Sequence, residues 1–425
     1  MLSSSALIFR FSIIALVIIL IDLYVFKGIK TAVSFINSGK SKQLIYWSYW
    51  IINISFLLTL LYGIASFSGL HGPSSKLVVY LMGTMVLLVV PKLVFTIFLL
   101  GEDIYRILHA TFLFLKNLFF STTASTNYFD GRRAFISQIA IGVASIPFIS
   151  IIYGIAKGRY NYKVHKVNIA FADLPEKFHG FTITQISDIH SGSFDNMEAV
   201  KRGVDMINKQ KSDVILFTGD LVNNFAKEME PWIDLFKTLE APFGKFSITG
   251  NHDYGDYSQW NSADEKYKNF EYFKNVHQQL GFKLLLNENT YIEKENHRIA
   301  ILGMENWGTG SFSKYGDLEK TLKGINTNDF KILLSHDPSH WDAQVLDHAT
   351  HHIHLTLAGH THGMQFGIEI PGIKWSPVKY RYPRWAGLFT ENKKHLYVNR
   401  GFGFIGFPGR VGIWPEITVI TLQKA

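Results

Sequence analysis

The chain has 425 residues, a formal charge of +8 and no cysteine, which excludes disulfides and thiolate metal ligands and leaves the redox compartment open. Apolar residues make up 47% and charged residues only 18%, a low charge content for a soluble protein of two or three domains. The basic charge flanks apolar segments and comes with no basic helix or RNP-like aromatic pattern, so no nucleic-acid-binding module is expected.

Four apolar stretches, 8–26, 44–66, 77–100 and 134–155, are long enough to cross a bilayer core, which takes about 20 helical residues. The first has no small-residue cleavage site and further spans follow, so it reads as an anchor, not a signal peptide. Arg10 and Asp22, near its ends, read as side chains snorkelling to the interface in preference to an intramembrane ion site. Pro91 and Pro147 interrupt helical stretches, which membrane helices tolerate with a kink. The segment 104–120 mixes apolar and basic residues. It either lies along the membrane surface or extends the third span.

Topology follows from Lys and Arg. Loop one carries Lys27, Lys30, Lys40 and Lys42, and loop three Arg106, Lys116, Arg132 and Arg133. Loop two carries only Lys76. Loops one and three are therefore expected in the cytoplasm and the C-terminal half outside it. Lys157, Arg159, Lys163 and Lys166 argue the other way. Gly131–Ile136 is similar to a twin-arginine export motif, and equally to two arginines stopping a helix.

From Lys163 short β-rich runs alternate with amphipathic helical segments, the pattern of an α/β domain. Strands are expected at 164–171, 181–186, 214–218, 245–249, 283–286, 290–293, 298–302, 330–334 and 354–358. The tail 416–422 is expected to close the sheet. Helices are expected at 196–209 (capped by Asp195), 232–239, 264–280 and near 341–347. Five strand-like runs end in polar clusters: Asp188-Ile189-His190, Gly219-Asp220, Gly250-Asn251-His252-Asp253, Ser335-His336-Asp337 and Gly359-His360-Thr361-His362-Gly363. Alternate residues of a strand point the same way, so Asp188 and His190 are expected to share one ion, and His360 and His362 to face one side. Imidazole, carboxylate and amide oxygen without sulfur exceed the needs of one ion and suit two borderline divalent cations, manganese, iron or zinc.

These five motifs in this order resemble the calcineurin-like metallophosphoesterases, over Val164 to the C-terminus. With membrane spans ahead of them, Ser-Asp-Ile-His and Ala-Gly-His-Thr-His-Gly-Met-Gln are similar to the membrane-anchored bacterial branch of that family. The resemblance implies a four-layer α-β-β-α sandwich of two mixed sheets behind an all-α transmembrane region of about four helices. It implies that Asp188, His190, Asp220 and His362 hold a first ion. Asp220 would bridge to a second, completed by Asn251, His336 and His360. His252 would be the catalytic histidine and Asp253 its orienting partner.

In such chemistry a two-metal-activated hydroxide attacks a phosphate ester or pyrophosphate, and His252 protonates the leaving group. Arg400 and Arg410, in a glycine-rich stretch, are candidates for binding substrate phosphate. Trp375, Tyr380, Tyr382 and Trp385, interleaved with Lys374, Lys379, Arg381 and Arg384, suit lipid headgroups or the frame of a pocket. The His-rich segment 347–354 reads as a solvated helix end. Lipid-linked or envelope phosphodiesters and pyrophosphates, and soluble nucleotides, are the competing substrate classes. The alternative is a membrane protein whose phosphoesterase-like domain binds or senses without turnover. The sequence leaves the oligomeric state open.

Overall fold

The computed structural model describes residues 4–65, 76–120 and 130–425. The side chains of Arg10 and Lys76, used above for charge, lie outside the described ones. The chain forms two compact units, 1–70 with 80–153, and 71–79 with 154–425.

The second unit holds two six-stranded sheets. The first has the order β1(Lys163–Phe171)-β14(Glu416–Lys424)-β2(Thr182–Ile186)-β3(Val214–Phe217)-β4(Lys245–Ser247)-β5(Lys283–Leu284). The second has the order β12(Gly387–Glu391)-β13(Lys394–Val398)-β9(Leu355–Ala358)-β8(Lys331–Leu334)-β7(His297–Gly303)-β6(Glu288–Lys294). The C-terminal segment forms a strand of the first sheet, as expected, and sits inside it. It lies between β1 and β2, parallel to the first and antiparallel to the second.

β3 shows why the sheets stack. All four of its residues are buried, alternating between two cores. Val214 and Leu216 join Ile301, Ile332, Leu334, Leu355 and Leu357 of the other sheet in the central layer. Ile215 and Phe217 face outward onto α5(Met197–Asn208) and α7(Ala263–Gln279), through Val200, Val204, Phe273 and Val276. The second sheet covers its outer face with α8(Leu318–Leu322) and the turn around Trp341. Strands buried on both faces read as continuous apolar runs, and here they produce four layers. The α5 cap is Asn196, not Asp195: its side chain accepts from Ala199 N at 2.9 Å, closing an otherwise open helix N-terminus.

The first unit is four helices, α1(Ser4–Ala32), α2(Gly39–Ala65), α3(Lys76–Phe120) and α4(Asp130–Ala156), each apolar and long enough to cross a membrane. α3 runs unbroken through 104–120 with Pro91 inside it, so that segment extends the third span. α6(Ile233–Phe236) in the second unit is shorter than its expected helix.

Asp22 corrects the snorkelling expectation. It is 5% exposed, its Oδ1 lies 2.5 Å from Lys92 Nζ, and Tyr49 Oη donates to the same oxygen at 3.2 Å. Lys92 also donates to Asn53, so α1, α2 and α3 meet at one buried ion pair. The arginines of the Gly131–Ile136 motif face acids of α3: Arg133 lies 3.5 Å from Asp103 and Arg132 3.8 Å from Glu102.

Removing one partner of a buried pair leaves an uncompensated charge and costs more than removing both. Lys92→Met is expected to destabilise the helical unit by about 3 kcal/mol, and the Asp22→Asn/Lys92→Met double variant to recover much of that. Unfolding of the full chain in mixed micelles reads both. Equal losses in single and double variants would contradict the pairing.

Candidate metal centre

Parallel β2, β3 and β4 of the first sheet and parallel β8 and β9 of the second end in the motif residues. Polar bonds join the two sheets at this end. Gln185 Nε2 donates to Ala358 O at 2.8 Å and to Thr218 Oγ1 at 3.2 Å. His360 N donates to both Asp188 oxygens at 3.0 Å.

The motif residues themselves lie just past the strands. Asp188, His190, Asp220, His360 and His362 have φ of 51°, 48°, 60°, 71° and 49°. This left-handed region is costly for residues with a Cβ and occurs where the surroundings enforce it, commonly at functional sites. The strand-parity argument therefore fails in its mechanism. Asp188 and His190 converge through left-handed turns, and His360 and His362 face different groups. Asp188, His190 and His362 form one cluster and Asp220, His336 and His360 another, with ligand atoms in each within 4.8 Å of one another. His190 Nε2 is also 3.5 Å, and His336 Nε2 3.1 Å, from Asp220 Oδ2, which places Asp220 between the clusters.

The donor chemistry fits cations. Nε2 of His190, His336 and His362 is buried in each case without a hydrogen-bond partner. His336 Nδ1 faces Thr218 O at 2.7 Å. A carbonyl can only accept, so Nδ1 carries a proton and Nε2 is the atom turned to the site, 3.1 Å from Asp220 Oδ2. Tyr382 Oη donates to Asp337 Oδ2 at 3.2 Å and stands 2.9 Å from His360 Nε2. His360 Nδ1 faces Asn251 Oδ1 at 2.9 Å, so the ring bridges Tyr382 and Asn251. Gly359 lies so close that a Cβ would come 2.2 Å from Asp188 Oδ2, so only glycine allows this approach.

The electrostatics agree. Burial pushes Asp188 up to about 6, against the pull of His336 and with the push of the Asp220 charge. Burial drives His190 down to about 3 and outweighs its attraction to Asp220. Burial also lowers His336, but the Asp220 charge and contact overcome it and hold the ring near 10. A dry site holding two carboxylates satisfies them with positive charge, from a ring proton or from a metal ion.

Two assignments are corrected. Asp253 does not touch the His252 ring. Its carboxylate accepts backbone N–H bonds from Gly250, Asp220, Leu221 and Val222 at 2.8, 2.9, 2.8 and 3.3 Å. It therefore ties the β3 and β4 loops together. His252 Nδ1 instead faces Asn223 O at 2.9 Å. Arg400 and Arg410 are 3% and 0% exposed, too buried to meet a substrate phosphate. Arg400 pairs with Glu416 and Glu369, both at 2.5 Å. Arg410 Nη2 holds Arg400 O and Gly403 O and stands 3.0 Å behind His362 Nδ1.

Asp337 and Tyr257 enter the site without having been assigned a role there, and for Asp337 its motif neighbour His336 was the available signal. Tyr382 enters it from the aromatic stretch expected at lipid headgroups or the frame of a pocket. Tyr257 Oη accepts from Asn251 Nδ2 at 2.9 Å, and its ring lies 4.7 Å from that of His252. Within the His-rich segment, His354 binds Asp173 at 2.8 Å and His348 binds Glu319 at 3.1 Å. Neither belongs to a metal cluster among the described residues.

Comparison with known sequences places these observations. Residues 181–364 match the family described as "Calcineurin-like phosphoesterase". Residues 6–159 match "Probable Calcineurin-like phosphoesterase, transmembrane domain". YkuE of Bacillus subtilis, an uncharacterized metallophosphoesterase, is 34% identical over 59% of this chain and 82% of its own length. A transmembrane protein with a metallophosphoesterase domain from Danio rerio is 29% identical over 66% of this chain and 62% of its own length. The phosphodiesterase YaeI of Escherichia coli is 24% identical over 68% of this chain and 98% of its own length. The Asp- and His-bearing turns beyond the strands, the four apolar helices and these matches together make the chain a member of the calcineurin-like metallophosphoesterases.

Proposed function

We propose that the chain hydrolyses a phosphate ester or pyrophosphate bond of a membrane- or envelope-associated substrate, with His252 as its catalytic side chain. The observation that carries the reading is the convergence of three partnerless buried imidazole nitrogens on two buried carboxylates, beside a less buried histidine. Asp188, His190 and His362 would hold one divalent ion, and Asn251, His336 and His360 a second, with Asp220 shared. Manganese, iron and zinc all suit this donor set. Two such ions supply an attacking water acidified to near pH 7 and positive charge against the phosphoryl oxygens.

The remaining work falls to the chain. The His252 Nδ1 proton is fixed by the Asn223 carbonyl, which aims Nε2 away from the loop. A proton held at Nε2 is the one a leaving alkoxide would take, an effect worth roughly 10²–10⁴ in rate. Asp253 keeps the loops carrying Asp220 and Asn251 in register. Tyr382 and Asp337 fix the His360 ring.

The lysines and arginines of loops one and three support a catalytic unit outside the cytoplasm, which a reporter fused after Ala425 tests. The four apolar helices support a substrate at the membrane by location.

Full-length chain in detergent, loaded with manganese or zinc, is expected to cleave bis-p-nitrophenyl phosphate. Asp220→Asn is expected to abolish turnover. His252→Ala is expected to lower kcat about 10²–10⁴-fold with ion content retained. A fully loaded wild-type chain with no turnover on diesters, monoesters or extracted envelope lipids would favour the binding or sensor reading.

A further inference from the structure

The catalytic unit hides its aliphatic side chains well, with one exception. Among its described residues, every isoleucine or leucine that is largely exposed lies between 368 and 388: Ile368 at 49%, Ile370 at 56%, Ile373 at 53% and Leu388 at 39%. Three of these belong to a small separate hairpin, β10(Ile368–Ile370) and β11(Ile373–Trp375), turned by Pro371 and Gly372. Ile370 pairs with Ile373 next to the turn, so both sit at its tip. A two-stranded ribbon with aliphatics at its tip gains nothing by folding alone in water. Tyr380, 78% exposed, follows, flanked by exposed Lys379 and Arg381. The only acid between 364 and 388 is Glu369, which is bound to Arg400 at 2.5 Å. Aliphatic tip, amphipathic tyrosine and unopposed cations are the composition of a surface that meets lipid headgroups.

Two further observations name the occupant. The segment Gly409–Gly412 touches the chain where it leaves its last apolar helix: Arg410 N donates to Gly154 O at 3.2 Å, and a Cβ on Gly158 would come 2.3 Å from Arg410 O. The same segment holds the base of the hairpin, with Gly367 N donating to Val411 O at 2.9 Å and Val411 N to Gln365 O at 2.8 Å. The base of the hairpin is thus bonded, within the second unit, to the residues with which the chain continues directly from an apolar helix. On the other side, Met364, 59% exposed, stands two residues from His362, so the apolar surface begins at the rim of the metal centre.

We propose that the hairpin Ile368–Trp375 dips into the lipid bilayer, with Ile370 and Ile373 in the acyl region and Lys379 and Arg381 on anionic headgroups. This seats the rim of the metal centre at the lipid surface.

Because the chain has no cysteine, an Ile370→Cys variant of the full chain carries one label site. A polarity-sensitive fluorophore there is read in vesicles of mixed zwitterionic and anionic lipids. Lys268→Cys, on the 73%-exposed side chain of an outer helix, is the control. The expected result is blue-shifted emission and quenching by lipids brominated near the headgroup, at least about threefold stronger at 370 than at 268. Lys379→Glu with Arg381→Glu is expected to weaken that quenching in anionic vesicles and leave it unchanged in zwitterionic ones. Equal, weak quenching at both positions would overturn the proposal. So would a label at 370 shielded only at high protein density, which would mean a second copy covers the tip. The readout does not depend on turnover, so it stands or falls separately from the hydrolase reading.

Discussion

The constraint that organises the catalytic unit is the burial of two carboxylates, Asp188 and Asp220, among imidazoles where the two sheets meet. Like charges in a dry environment repel, and each is costly to bury alone. The fold accepts this cost at the joint between two sheets. Backbone N–H groups of His360 and His252 point at the carboxylates, and Gln185 pins the sheets together behind them. The Asp253 carboxylate clamps the loops that carry Asp220 and Asn251. Five of the clustered Asp and His residues stand in left-handed backbone, a strain that persists only because so much of the surrounding packing fixes it.

That arrangement explains which parts of the molecule could be read from sequence. Buried strands such as 214–217 and 331–334 are short apolar runs ending in turn residues, and they were legible as strands. Their chemistry was legible because each run ends in Asp, His or Asn. The route by which those side chains converge was not. Strand parity stops at Ile186 and Ala358, and the turns beyond are set by tertiary contacts such as Gly359 against Asp188. The hairpin 368–375 and the pair β12–β13 were missed. Their residues neither alternate cleanly nor form an apolar run.

The misplaced charges share one cause. Composition shows that Arg400, Arg410, Asp22 and Asp253 are charged, but not what lies beside them in space. Arg400 meets Glu416, Arg410 meets carbonyl oxygens, and Asp22 meets a lysine 70 residues away in sequence. A buried charge with a distant partner leaves no local pattern. The same holds for Tyr382, whose neighbours along its loop suited lipid headgroups and the frame of a pocket alike. It divides that loop, with Tyr382 and Trp385 turned inward and Tyr380 outward.

The central claim is that ligands from two sheets hold two cations at distinct subsites sharing Asp220. Metal analysis of the purified full-length chain tests it most directly. The account predicts about two divalent ions per chain in the wild type and about one in His362→Ala, whose ring serves only the first cluster. One ion in both proteins, or none that survives removal of free metal, would contradict it.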